Sequence, residues 1–147
     1  MKRKPSPAKS TLAAFFELTK PRIILLILIS TALGYYLGEC GMINNLKFIY
    51  TMLGTAVLAG AAGTINHCIE KDLDILMDRT KSRPIPAGLI SSQTALYFGL
   101  VQSIVGFIVL WIFVNKLTAM LGLTTIVLYL FVYTPLKKIT WLNTTIG

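Results

Sequence analysis

Residues 48–86 read FIYTMLGTAVLAGAAGTINHCIEKDLDILMDRTKSRPIP. The first part, Phe48 to Ile65, carries no charge, and it passes directly into a segment crowded with charge. The whole chain has six acidic side chains, and four of them, Glu70, Asp72, Asp74 and Asp78, fall within nine residues here. Crossing roughly 30 Å of hydrocarbon at 1.5 Å per residue takes about 20 apolar residues. The uncharged run meets that requirement, so the fold is decided at this boundary between grease and charge.

Working outward, three more stretches qualify: Ile23 to about Leu37, extendable toward Ile43 with Glu39 near the outer edge, about Thr94 to Val114, and Leu117 to about Leu136. The expected spans are therefore about 23–43, 48–65, 94–114 and 117–136. A chain that is 54% hydrophobic with a mean hydropathy of +0.69 is too apolar for an ordinary soluble domain. Alternating barrel strands would not give such continuous runs, so an all-α polytopic membrane protein is expected. A soluble all-helical core is the rival reading.

The net charge of +8 could suggest nucleic acid, but its distribution points to a bilayer. Lys2, Arg3, Lys4, Lys9, Lys20 and Arg22 precede the first span. Lys71, Arg79, Lys81 and Arg83 lie between the second and third, and Lys137 and Lys138 follow the fourth. Lys47 and Lys116 alone fall in the other two loops, a ratio of twelve to two. This bias places the N-terminus, the acidic segment and the C-terminus in the cytoplasm, and it reports attraction to anionic lipid. No nucleic-acid partner is expected.

Glu17, Lys20 and Arg22 interrupt any signal-peptide apolar region, and no small-residue cleavage site follows. Residues 1–9 read as a disordered basic tail and about 10–19 as an amphipathic segment at the membrane surface. Pro21 suits the first turn of the first span. Cys40 and Cys68 fall on opposite sides of the membrane in this topology, so no disulfide is expected, and no CxxC or His-rich metal signature occurs.

If the second helix continues past Ile65, then Asn66, Glu70 and Asp74 follow at i, i+4 and i+8, which stacks them on one face about 6 Å apart. Two carboxylates and an amide on one stripe invite a cation. Mg²⁺ suits them, being held by one or two carboxylates, waters and the oxygens of a substrate phosphate. Asp72 points elsewhere, and Asp78 lies beyond the helix. Behind the acids, RTKSRP places Arg79, Lys81 and Arg83 within five positions, with Pro84 and Pro86 marking an irregular loop. Acids for a metal followed by bases for phosphate oxygens describe a diphosphate site at the membrane edge. The plainer reading is a solvated loop with local ion pairs of small worth.

The stretch NHCIEKDLDILMDRTKSRPIPAG (66–88) resembles the first acidic motif of the UbiA superfamily of intramembrane prenyltransferases. ELTKPRI (17–23) and YTPLKKITWLNTTIG (133–147) are similar to further blocks of that superfamily, closest to its haem-modifying branch. The resemblance covers nearly the whole chain in order. It implies transfer of farnesyl from farnesyl diphosphate to a vinyl group of haem b, with water adding, to give haem O and diphosphate. It implies Mg²⁺ as cofactor, held by Asn66, Glu70 and Asp74 as the catalytic face. It implies Arg79, Lys81, Arg83, Lys137 and Lys138 as ligands of the diphosphate. Haem A synthase or terminal-oxidase assembly components are the protein partners it suggests, and the cell inner membrane is its setting.

Two departures stand out. The superfamily usually carries Asp where this chain has Glu70, a longer arm. Its fold has nine membrane helices and a second acidic motif, whereas four spans are read here and Gly147 stands about where a fifth helix would start. Residues 10–147 are therefore expected to form the N-terminal half of such an enzyme, inactive unless supplied with the other half.

Several features have double readings. Gly34, Gly60, Gly63 and Gly122 could line a channel for the farnesyl tail, although small residues in membrane helices serve packing first. His67, the single histidine, could ligate haem iron or simply bond water or backbone. Tyr35, Tyr36, Tyr50, Trp111 and Trp141 could stabilise a carbocation, but interfacial belts place aromatics at span ends anyway. No residue singles itself out as a general base. The competing functions are another aromatic-acceptor prenyltransferase of the same superfamily, a non-catalytic membrane subunit or remnant, and a transporter. The last lacks the mid-membrane ionisable residue that an ion path would need.

Overall fold

The computed structural model describes residues 11–39 and 45–135. The basic tail, Cys40, Trp141, Lys137 and Lys138 lie outside the described residues. Seven helical segments follow in order: α1 (Thr11–Leu18), α2 (Pro21–Gly38), α3 (Asn45–Ile69), α4 (Lys71–Leu76), α5 (Ser92–Phe113), α6 (Lys116–Val127) and a π-helical continuation, Leu128–Tyr133. No strand occurs among the described residues. Four helices, Pro21–Gly38, Asn45–Ile69, Ser92–Phe113 and Lys116–Tyr133, are long and apolar enough to cross a membrane.

Each helix starts where local chemistry permits. Pro21 opens α2, where its missing N–H is harmless. Ser91 Oγ accepts from the Thr94 amide at 3.1 Å ahead of α5, and Asn115 Oδ1 accepts from the Thr118 amide at 2.6 Å ahead of α6. At the far end of the bundle, Lys47 pairs with Glu39 at 2.8 Å.

The long helix α3 is the centre of the fold, and its most extensive contact is with α5. Small residues bring the two axes close. A Cβ on Gly106 would lie 3.0 Å from the Leu58 amide nitrogen and 3.1 Å from the Gly54 carbonyl oxygen, so backbone meets backbone there. Leu58, Ile65, Leu110, Ala119, Ile126 and Leu130 close the core between α3, α5 and α6. Gly60, Gly63 and Gly122 all face neighbouring chain within packing distance, whereas Gly34 faces open space. On α2 no residue is buried, and Leu25, Leu26, Ile29 and Leu33 are exposed, as expected of a lipid-facing helix.

A second, smaller core positions the site. Ala14 and Leu18 of α1 pack with Ile90 and Ala95, flanked by Phe15, Cys68 and Ile85. This seats α1 across the last turns of α3. A Cβ on Gly63 would stand 3.2 Å from the Thr19 carbonyl oxygen and 3.3 Å from that of Leu18. Glycine is therefore what lets the α1–α2 corner approach. The corner itself turns through Lys20, at φ 56°, a left-handed conformation that costs a non-glycine residue on the order of 1–3 kcal/mol.

Candidate functional site

The expected single helix through Asp74 is interrupted. α3 stops at Ile69, Glu70 takes φ −90° and ψ 1°, and α4 restarts at Lys71. Two helical hydrogen bonds bridge the break, Glu70 N–H to the Asn66 carbonyl and Asp74 N–H to the Glu70 carbonyl, both at 2.9 Å. The break is thus a bend in one path, and all three residues stay inside: Asn66 is 3% exposed, Glu70 9% and Asp74 4%. Asp72 is exposed and Asp78 lies beyond α4.

Asn66 and Glu70 meet as their spacing predicts. The Asn66 amide donates to Glu70 Oε2 at 2.9 Å. On its other side, Asn66 Oδ1 lies 3.0 Å from the Thr134 hydroxyl, which also lies 2.8 Å from the Tyr129 carbonyl oxygen. With one proton, that hydroxyl donates to one of them at a time. The π-helical turn before Thr134 sets the hydroxyl over Asn66, a use of such turns common at functional sites.

Asp74 has a different partner. Arg83 Nη1 donates to Oδ1 at 2.8 Å and to Oδ2 at 2.7 Å. The loop that returns Arg83 to Asp74 is a succession of turns: Thr80 N–H to the Met77 carbonyl, Arg83 N–H to the Thr80 carbonyl, and Ala87 N–H to the Arg83 carbonyl. Thr80, itself buried, donates its hydroxyl to the Asp74 carbonyl at 3.0 Å. Pro84 is fully buried beneath. Of the three bases in RTKSRP, Arg83 alone faces inward. Arg79 is exposed, and Lys81 pairs with Asp78, which holds that carboxyl below its ordinary range.

Beside this pair lies a cleft of about 670 Å³. Its charged lining is Lys20, Arg22 and Arg83 with Glu17, and His67 forms part of the wall. Among the described residues, three cations against one acid give this partly enclosed space an excess of positive charge. Lys20 and Arg22 come from the α1–α2 corner, so the corner seated on Gly63 supplies two of these three positive charges, and Arg83 supplies the third. Of the described aromatics singled out in the sequence, Tyr50 and Trp111 lie elsewhere. Tyr50 stacks on Phe113 at 4.4 Å and Trp111 contacts Phe107 and Lys116, roughly 24 Å along α3 from Asn66 at 1.5 Å per residue. Cys68 is half-buried, with its thiol directed to the Thr64 and Ser92 carbonyls.

A model of the UbiA prenyltransferase family matches residues 27–147. The chain belongs to that family. It is 42% identical over 142 residues to a protoheme IX farnesyltransferase of Solibacter usitatus, covering 90% of this chain and 49% of the relative. A protein of the same name from Chloroflexus aurantiacus is 41% identical over 140 residues, 95% of this chain and 24% of the relative. The corresponding protein of Trichodesmium erythraeum is 42% identical over 135 residues, 91% and 41% of the two chains. The chain thus spans about a quarter to a half of the length of these relatives. No solved structure matches it.

The UbiA match contains Asn66, Glu70, Asp74 and Arg83, while Lys20 and Arg22 precede it. As a UbiA chain it is a membrane protein with helices as its spanning elements. The cleft residues Lys20 and Arg22, and the hydroxyl of Thr134, were not singled out as site residues by spacing. Both lay in plain view, two bases flanking Pro21 ahead of a span and a threonine beside Pro135 at a span's end. Neither pattern says which partner the side chain will meet.

Whether the donors suit Mg²⁺ is a question of chemistry at Asp74. Among the described residues no three His, Cys, Asp or Glu side chains stand together as a metal cage. Mg²⁺ does not require one, because it is commonly held by one or two carboxylates with water and phosphate oxygens. Arg83 on both oxygens of Asp74 balances the charge of this carboxylate, and a metal would have to share those oxygens with it or replace it there. Asn66 and Glu70 carry oxygens of the hard type that Mg²⁺ prefers, so the donor set fits in its chemistry, with Asn66 turning its nitrogen to Glu70 and its oxygen to Thr134.

Proposed function

We propose that this chain binds farnesyl diphosphate and takes part in its transfer to haem b, as a protoheme IX farnesyltransferase. The observation that carries the reading is the cleft where Lys20, Arg22 and Arg83 converge beside Asp74 at the polar end of an apolar helix. The names of the relatives support farnesyl and protohaem as the two substrates.

In this reading the diphosphate lies against Lys20, Arg22 and Arg83, whose N–H groups bond its oxygens and neutralise the charge that develops on departure. The allylic C–O bond breaks, and the electron pair leaves with diphosphate. The haem vinyl group forms the new C–C bond to the farnesyl carbon, and water adds to the resulting cation with loss of a proton. Mg²⁺ bound through Asn66, Glu70 and Asp74 would supply further stabilisation of the leaving diphosphate. The apolar helices exclude water from the cation until the vinyl group has attacked. Positive-inside bias supports a cytoplasmic N-terminus and acidic segment in the cell inner membrane.

Trypsin tests this directly, since Arg79 and Lys81 are exposed on the loop that carries Arg83. Farnesyl diphosphate with Mg²⁺ is expected to slow cleavage at both, and farnesol with Mg²⁺ to leave it unchanged. Equal cleavage with and without farnesyl diphosphate would rule the reading out. Farnesylated haem in lipid extracts of a strain that lacks its own haem O synthase, supplied with the complete enzyme, tests the acceptor.

A further inference from the structure

His67 follows Asn66 on the last turn of α3, and its ring is 3% exposed. Among the described residues, its Nδ1 is the buried side-chain polar atom that has no hydrogen-bond partner. Such an atom is unfavourable by about 1–3 kcal/mol, and a folded protein that keeps one commonly satisfies it in another working state. The carboxylate within 4 Å is Asp74, whose Oδ2 lies 3.8 Å from Nδ1, beyond a hydrogen bond. That same oxygen is held by Arg83 at 2.7 Å. The ring also lines the cleft that Lys20, Arg22 and Arg83 make positive.

Two demands conflict at Asp74. While Arg83 occupies both of its oxygens, the carboxylate offers none fully to a metal. When an anion in the cleft draws Arg83 toward itself, Asp74 is left buried with a charge and without its donor, a costly state. A second donor standing within about 1 Å of bonding distance resolves the conflict. We infer that His67 is a positioning residue whose Nδ1–H takes over Asp74 Oδ2 when the cleft fills, holding the carboxylate in place for a divalent cation. Carboxylates that bind metals are themselves hydrogen-bonded, and such outer partners set ligand orientation. The position is rigid enough for that task, because Gly63, one turn earlier on α3, is pressed against the α1–α2 corner. The inference deepens the diphosphate reading and rests on it.

The test uses the full chain in detergent, with Mn²⁺ as the divalent probe followed by electron paramagnetic resonance and inorganic diphosphate as the anion. Asparagine places a donor nitrogen close to the position of Nδ1, whereas leucine fills the volume without one. His67→Leu and His67→Ala are expected to weaken diphosphate-dependent Mn²⁺ binding about tenfold, with His67→Asn restoring it to within about threefold of the unsubstituted protein. Thermal unfolding of each variant separates folding from binding, and if His67→Ala fails to fold, the leucine and asparagine pair decides. Binding by His67→Leu equal to that of the unsubstituted protein overturns the inference while leaving the diphosphate reading standing. Asparagine as weak as leucine also overturns it, since the donor would then not matter. No diphosphate-dependent Mn²⁺ binding by the unsubstituted protein overturns the diphosphate reading itself, and this inference with it.

Discussion

Arg83 reaches back nine residues to place one nitrogen, Nη1, 2.8 Å and 2.7 Å from the two oxygens of Asp74. The Asp74 side chain is 5% exposed and that of Arg83 25%, so the pair is desolvated on the acid side and open to the cleft on the basic side. This asymmetry is what a ligand anion needs: the cation can be approached without first uncovering the acid. The pair therefore ties the stability of the loop to the occupancy of the site.

Removing Arg83 strands a buried carboxylate. Arg83→Ala is expected to destabilise the protein by about 3 kcal/mol, as when one partner of a buried pair is lost. Arg79→Ala, on an exposed side chain, should stay within about 0.5 kcal/mol. Thermal unfolding in detergent, followed by circular dichroism, compares them. Equal midpoints would show that the Asp74 contact does not hold the loop.

The two aspartates of α4 should separate cleanly. Asp74→Ala removes the carboxylate that meets Arg83 and should abolish Mg²⁺-dependent binding of farnesyl diphosphate. Asp72→Ala, with an exposed side chain, should change it by less than about twofold. Equilibrium binding of labelled farnesyl diphosphate to each purified variant measures the difference. Losses of the same size would break the assignment of Asp74 to the inward face.

Thr134 provides a subtler case. Thr134→Val keeps the shape, removes the hydroxyl near Asn66 Oδ1, and leaves a buried amide oxygen short of a donor, a loss of about 1–3 kcal/mol. Both thermal stability and Mg²⁺-dependent binding should fall, because Asn66 also donates to Glu70. A valine variant with unchanged binding would mean that the hydroxyl serves the Tyr129 carbonyl alone.

Glycines of equal appearance should differ sharply. Gly106→Ala forces a methyl to 3.0 Å from the Leu58 amide nitrogen and should cost about 1–3 kcal/mol. Gly34→Ala meets nothing within 4 Å and should stabilise α2 by up to about 1 kcal/mol, the difference in helix propensity. Unfolding midpoints that move in the same direction would contradict the packing described for α3 and α5.

Much of this architecture was legible in the order of residues. An apolar run of membrane length can satisfy its backbone in lipid only as a helix, so the spans follow from composition alone. The Asn66–Glu70 contact was equally legible, because residues four apart on a helix are neighbours whatever surrounds them. The expected stripe Asn66, Glu70 and Asp74 is buried along its length. Its first two members lie together, but the bend at Glu70 and the return of the loop give Asp74 to Arg83.

Membership in a helical membrane family, the place where charge begins, and the local pairing along α3 were determined by the sequence itself, through periodicity and the cost of exposing polar groups to lipid. The tertiary structure alone decided that Lys20 and Arg22 face Arg83 across one cleft, that Thr134 stands over Asn66, and that His67 has Asp74 as its neighbour. Those meetings depend on the angle at which α1 crosses α3 over Gly63 and on the turns that fold the loop back. The first two join residues far apart along the chain, the third depends on the bend at Glu70, and no local repeat encodes any of these distances.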